Sequence, residues 1–164
     1  MPSDSEDPTV TIRKMAEEDV GPAMELLDHW DMAPETDRED GERTRIRVPN
    51  SFVADDTGSV VGVSSYILHT DTLGETASLA VDPEYRGQGI GYRLQVARLR
   101  EMRSRGIETV RTETDRPETI EWYVEKFGYE RIGTTPKKHD FSLPEVDEWT
   151  ILELDLRKWI ESGA

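Results

Sequence analysis

Residues 9–15, TVTIRKM, alternate polar and apolar side chains, the two-residue period of a strand with one buried face. The period then lengthens. In EEDVGPAMELLDHW (17–30), Val20, Ala23, Leu26 and Leu27 recur three and four apart, which predicts a helix with one apolar stripe. Asp19 is a candidate cap, and Pro22 fits only near a first turn, where no N–H is needed. Residues 31–47 are dense in charge and are expected to hold a second short helix. NSFVADD and SVVGVSSYIL have strand composition and flank DTGS, a hairpin signal. ETASLAVD (75–82) is a further strand, closed by Pro83. A glycine turn follows, then a helix to about Arg105, with Ile90, Leu94 and Ala97 on its buried face and Gly106 at its end. IETVRTET is the next strand, and PETIEWYVEKF (117–127) is a helix that opens on Pro117 and ends before Gly128. YERIGT and WTILELDL close the sheet. The one long loop, 135–148, exceeds the usual connection length.

Strands alternating with helices in this way give the α/β (α+β) class: a mixed, mostly antiparallel sheet of about 6–7 strands flanked by about 4 helices. No repeat or linker interrupts the 164 residues, so a single domain over 1–164 is expected, with residues 1–7 as a disordered tail. No apolar run approaches the length of a membrane span. The acidic start, MPSDSEDPTV, lacks the basic and apolar regions of a signal peptide, so the expected location is the cytoplasm. The absence of cysteine excludes disulfides, thiolate metal sites and a cysteine nucleophile. His29, His69 and His139 are far apart in sequence, and no metal site is expected.

Charge changes the picture. The chain carries 35 acidic against 20 basic residues, a net −15. Such self-repulsion keeps a chain soluble and weakens its compact state unless salt screens it. The composition resembles that of proteins from salt-accumulating halophiles, and it disfavours nucleic acid and anionic membranes as partners. Yet residues 84–111 hold seven arginines and three acids, a local +4 that leaves −19 for the remainder. Arg98, Arg100 and Arg103 are expected to be solvated helix charge. Arg86 and Arg93 flank three glycines within five positions, YRGQGIGYRL. A strand, a glycine turn and a helix start make an anion site: the first helical N–H groups lack acceptors, the dipole is positive there, and glycine lets the backbone approach a ligand. Gly87, Gly89 and Gly91 are spaced by two, which does not fit the dinucleotide fingerprint, and the turn has no lysine for a P-loop.

Arg86, Gly89 and Gly91 do form Arg-x-x-Gly-x-Gly. LAVDPEYRGQGIGYRL resembles the coenzyme A signature of the GCN5-related N-acetyltransferases (GNAT), and the order of elements is similar over about residues 8–157. The resemblance implies that backbone N–H groups of Arg86, Gly87, Gln88, Gly89, Ile90 and Gly91 hold the pyrophosphate of acetyl-CoA as co-substrate. It implies that the strand Leu79–Ala80–Val81 binds the pantetheine arm through the main chains of Leu79 and Val81, where it splays from its neighbour. Glu75 lies five residues before Ala80, the position of a catalytic glutamate in the histone-acetylating branch of that family. Two-residue periodicity puts Glu75 on one face with Ala77, Leu79 and Val81, and a solvent-facing strand-end glutamate is the other reading.

An amine acceptor, with a pKa of ~10.4 when lysine-like, needs a base to remove its proton, and the leaving thiolate needs a donor. A tyrosine hydroxyl is suitable, and Tyr123 is the candidate. The family motif places tyrosine four residues before a glycine; here Tyr123 is five before Gly128, and Val124 takes the family position. One residue turns a helical side chain by about 100°, so either the helix is locally bulged or wound differently, or Tyr123 is not the acid. Trp30 and Glu35 after the first helix and His139 in the long loop are candidate acceptor contacts. The acceptor is a small-molecule amine or, alternatively, a protein lysine or N-terminus; a non-catalytic acyl-CoA binder is a further alternative, and a homodimer is a candidate assembly.

Overall fold

The computed structural model describes residues 9–29, 47–114, 116–136 and 148–159. Its strands are β1 (Val10–Lys14), β2 (Ser51–Asp56), β3 (Ser59–Leu68), β4 (Leu73–Val81), β5 (Thr109–Thr114), β6 (Glu130–Pro136) and β7 (Glu148–Asp155). Its helices are α1 (Val20–His29), α2 (Ile90–Ser104) and α3 (Pro117–Phe127). The strands form one sheet in the order β1-β2-β3-β4-β5-β7-β6. β4 and β5 pair in parallel, whereas β1–β2, β2–β3, β5–β7 and β6–β7 are antiparallel, so the expected mixed sheet is present. The helix expected over 31–47 falls almost wholly outside the described residues, as does the tail 1–7.

The chain divides into two compact units, Met1–Ile67 with Ser78–Arg100, and Leu68–Ala77 with Glu101–Ala164. In the first, Met15, Ala23, Leu26, Leu27, Val53, Val63 and Ala80 form a buried cluster, with Val20 packed against it. The α1 stripe therefore faces the core as its spacing predicts. The helix itself begins later than expected, because residues 17–19 form a 3-10 turn. Asp19 is buried there, and its carboxylate accepts the Ala16 N–H at 2.7 Å and both Arg13 Nη groups at 2.7 and 3.1 Å. The Arg13 guanidinium, ahead of the Ala16 N–H, holds the Asp19 carboxyl below the usual carboxylate range. The DTGS hairpin turns through Thr57 and Gly58, both at positive φ (47° and 101°), the pairing that a tight two-residue turn demands.

Gly62 in the middle of β3 lets α2 come close. A Cβ built there would lie 2.9 Å from Leu94 Cδ1, 3.2 Å from Ala54 Cβ and 3.3 Å from Ile90 Cγ2. The helix start is thereby seated on β3 by Ile90 and Leu94, both fully buried. Gly62→Ala should destabilise the protein by about 1–2 kcal/mol through overpacking, read as a lowered denaturant midpoint with an unchanged slope. An unchanged midpoint would show that α2 can move away at no cost.

In the second unit, Val110 of β5 and Leu152 and Leu154 of β7 are buried, as are Ile120, Tyr123 and Phe127 of α3, and α3 packs on β7. α3 matches its expected bounds. It ends on Gly128 at φ 83°, with Gly128 N–H donating to Val124 O at 3.1 Å and Tyr129 N–H to Tyr123 O at 3.3 Å, a left-handed helix cap. β4 starts two residues earlier than the sequence suggested. The Thr70 hydroxyl accepts the N–H groups of Thr72 (3.1 Å) and Leu73 (3.0 Å), and this closes the turn one step sooner.

Candidate active site

β4 ends in a stretch tied down on both sides. The Asp82 N–H donates to Val61 O at 2.8 Å, and the Asp82 side chain accepts the Glu84 N–H at 2.9 Å, which starts a 3-10 turn over Pro83–Tyr85. The Tyr85 hydroxyl donates to Asp56 Oδ2 at 2.5 Å and, with Thr9 second, holds the Asp56 carboxyl below the usual carboxylate range. This turn is therefore pinned to the β2–β3 hairpin. Arg86 and Gly87 are exposed, and Gly87 and Gly89 sit at φ 81° and 79°, a conformation costly for any side chain. The chain then enters α2 at Ile90.

Among the described residues the backbone N–H groups of residues 87–91 find no acceptor. Five consecutive donors at the positive end of a 15-residue helix suit an anion with several oxygens. Two side-chain atoms of the same segment, Gln88 Oε1 and Arg93 Nη1, are also buried without a partner. Arg93 Nη2 donates to Val10 O at 3.0 Å. A Cβ at Gly87 would meet nothing within 4 Å, and one at Gly91 would meet only Val81 Cγ2, at 3.8 Å. Residues 87–91 thus leave their N–H groups open to an anion, whereas the Arg86 N–H, expected among the donors, is taken by Pro83 O at 3.4 Å in the 3-10 turn. Leu79 and Val81 are partly buried and Ala80 buried on β4.

Arg98 is a correction. It is not solvated helix charge: it is fully buried, with Nη1 donating to Ser65 O and Ser78 O at 2.9 Å each and Nε to Gln95 Oε1 at 2.6 Å. One guanidinium therefore links β3 to the residue just before Leu79. Arg103 is exposed as expected, while its guanidinium lies over the Trp159 ring at 4.8 Å and donates to Trp159 O at 2.8 Å. Arg100 is exposed as expected. Ala97, expected on the buried face, is only partly buried; Gln95, Arg98, Leu99 and Met102 take that face.

The second unit holds Glu75 and Tyr123. Among the described residues the parallel ladder of β4 to β5 runs only over Leu73↔Thr109, Gly74↔Val110 and Glu75↔Arg111. One step on, hydroxyls replace the ladder: Thr112 Oγ1 donates to Thr76 O at 3.0 Å, and Thr76 Oγ1 to Arg111 O at 3.3 Å. Glu75 therefore stands where strand pairing stops. It is buried, not solvent-facing, and its Oε1 lies 2.7 Å from His69 Nε2. His69 was not singled out from the sequence; its place six residues before Glu75, across a short turn, was the available signal. Tyr123 is 3% exposed, its ring 5.1 Å from Trp122 and 4.9 Å from Tyr129. α3 runs as an α-helix throughout, so Tyr123, and not Val124, takes the core-facing position without a bulge. Trp30, Glu35 and His139 lie outside the described residues. No group of three or more metal-ligating side chains occurs among the described residues, and none of their helices is long and apolar enough to cross a membrane.

The profile of the acetyltransferase (GNAT) domain matches residues 49–131, just over half of the chain, from β2 through the glycine turn to the start of β6. A mycothiol acetyltransferase from Thermobispora bispora is 33% identical over 90 residues, which cover 51% of this chain and 29% of that enzyme. The chain thus matches less than a third of that relative's length. Ard1 from Thermoplasma volcanium superposes with a TM-score of 0.75 at 21% identity, over 90% of this chain and 97% of that one. N-acetylglutamate synthase from Neisseria gonorrhoeae, solved with coenzyme A and N-acetyl-glutamate, gives 0.66 at 22% identity, over 92% and 36%. Fold and profile agree with the glycine turn, and the chain belongs to the GNAT family of acetyltransferases.

Proposed function

We propose that the protein is an N-acetyltransferase that moves the acetyl group of acetyl-CoA to a primary amine of a small molecule. The row of unanswered N–H groups over residues 87–91 carries this reading, because it provides donors for a pyrophosphate. Acetyl-CoA supplies an activated thioester when bound. The main chains of Leu79 and Val81 orient the pantetheine arm, and a backbone N–H near Val81 meets the negative charge that develops on the carbonyl oxygen. Glu75 takes the proton of the acceptor ammonium, since only the free amine attacks. Tyr123, one residue off the family position on an unbulged α3, is the candidate donor to the departing sulfur, with solvent as the alternative source. With no cysteine in the chain, transfer is direct, within a ternary complex. The small-molecule acceptor follows the name of the relative, a mycothiol acetyltransferase. Trp30, Glu35 and His139 remain its candidate contacts.

The test is acetyl-CoA turnover over a panel of amino acids, polyamines, aminosugars and peptides with free N-termini. It is run at low and high salt, since a net −15 favours a salt-rich, cytoplasmic working medium. Intersecting initial-rate lines with a small amine are expected. Ping-pong kinetics or an acetylated protein on the path would overturn direct transfer. Turnover of peptides alone would move the acceptor to proteins, and acetyl-CoA binding with no turnover of any amine would leave a binding protein.

A further inference from the structure

Two carboxylates are buried among the described residues, Asp19 and Glu75. Their partners differ in kind. Asp19 is met by Arg13, whose guanidinium never gives up its proton in a working range, so that pair is fixed. Glu75 is met by an imidazole, whose two ring nitrogens can accept a proton on one side and donate one on the other. Holding a strand end in place does not require a titratable partner. The pair also spans the surface: the Glu75 side chain is 10% exposed and that of His69 31%. The imidazole therefore stands between the buried carboxylate and water.

The turn holds His69 in register. Its N–H donates to Leu73 O at 2.9 Å, and the Thr70 hydroxyl closes the same turn. Other charges face the pair from neighbouring elements. Asp71 is exposed in the same turn. Arg111 of β5 is the ladder neighbour of Glu75 and is held by Glu153 of β7 at 2.9 Å, with Glu130 of β6 next in the row. Arg111 is thus occupied by a carboxylate of its own.

We propose that His69 is the proton exit of Glu75, a positioning and relay residue that acts through the carboxylate and does not touch the acceptor. The inference rests on the reading of Glu75 as the base. The acceptor ammonium gives its proton to the Glu75 carboxylate and becomes a free amine. The Glu75 carboxyl passes that proton to His69 Nε2 across the 2.7 Å contact, the imidazolium releases one from Nδ1 to water, and the ring regains its Nδ1–H tautomer by exchange with solvent before the next turnover. Glu75 is then ionised again for the next turnover, and no oxidant or further reactant is needed.

The experiment compares His69→Gln, His69→Ala and Glu75→Gln, using the amine turned over fastest in the panel above. Glutamine can still donate a hydrogen bond to Glu75 but cannot carry a proton. His69→Gln should lower kcat about tenfold at neutral pH, leave KM for acetyl-CoA and the melting temperature unchanged, and lose its deficit as pH rises and solvent takes the proton. Added imidazole should restore His69→Ala. Full kcat in His69→Gln at neutral pH, or no restoration by imidazole, overturns the relay. If Glu75→Gln is slow while His69→Gln is full-rate, the base stands and the relay falls. If Glu75→Gln itself runs at full rate, or no amine turns over, both fall.

Discussion

Gly91→Val should leave the protein folded and weaken acetyl-CoA binding by about a hundredfold or more, a loss near 2.7 kcal/mol. Gly91 is the second residue of α2, and its φ is not in the left-handed region, so a side chain there does not strain the backbone. Its Cβ would meet only Val81 Cγ2, at 3.8 Å, an ordinary contact. Valine is no worse than glycine inside a helix. The loss must therefore come from the ligand. Every Cα–Cβ bond in a helix tilts toward the N-terminus, so the valine methyls project to the end where the donors of residues 87–91 stand. A pyrophosphate displaced from two charge-assisted bonds loses several kcal/mol. Gly89→Val is a poorer probe, because at φ 79° a branched residue costs about 1–3 kcal/mol in the folded state before any ligand is considered. Calorimetric titration of acetyl-CoA, with melting curves on the same samples, separates the two effects. Unchanged affinity in a folded Gly91→Val protein would move the pyrophosphate away from this turn.

The parts of the fold that the sequence announces are those set by local chemistry. The 57–58 turn reads as tight because Gly58 takes a positive φ at no steric cost, whereas the positive φ of β-branched Thr57 has no signal in composition, and α3 reads correctly because proline opens it and glycine closes it. Arg98 was misread for the opposite reason. An arginine in a basic helix resembles solvated charge, and the carbonyls that accept its protons, Ser65 and Ser78, lie 33 and 20 residues away. Only the tertiary approach of α2 to β3 and β4 reveals them. The same approach widens the buried stripe of α2 from Ile90 and Leu94 to Gln95, Leu99 and Met102, beyond what apolar spacing marks. The anion turn was legible, since its glycines and flanking arginines are contiguous. The environment of Glu75 was not. Its burial and its contact with His69 depend on where β4 begins, and that is set by the Thr70 hydroxyl rather than by hydrophobic pattern.

Tyr123→Phe should lower kcat by about 10²-fold while leaving KM for acetyl-CoA nearly unchanged and costing about 1 kcal/mol of stability. The ring belongs to the core stripe of α3 with Ile120 and Phe127, and it packs on Tyr129, whose own hydroxyl lies 3.4 Å from Thr76 Oγ1. A phenylalanine fills the same volume, so packing is kept and removal of one hydroxyl costs about 1 kcal/mol of stability. Packing alone would be served by phenylalanine, as at Phe127. Tyr129 is committed to Thr76. Thr76 and Glu75 are consecutive on β4, so their side chains leave the strand on opposite faces, and the aromatic group gathers on the Thr76 side. A proton donor acts on the leaving group and not on the bound cofactor, so its loss should appear in kcat and not in binding. Steady-state rates across pH, with acetyl-CoA titrations on both proteins, provide the check. A Phe variant with the full rate would take Tyr123 out of the mechanism and leave solvent as the proton source.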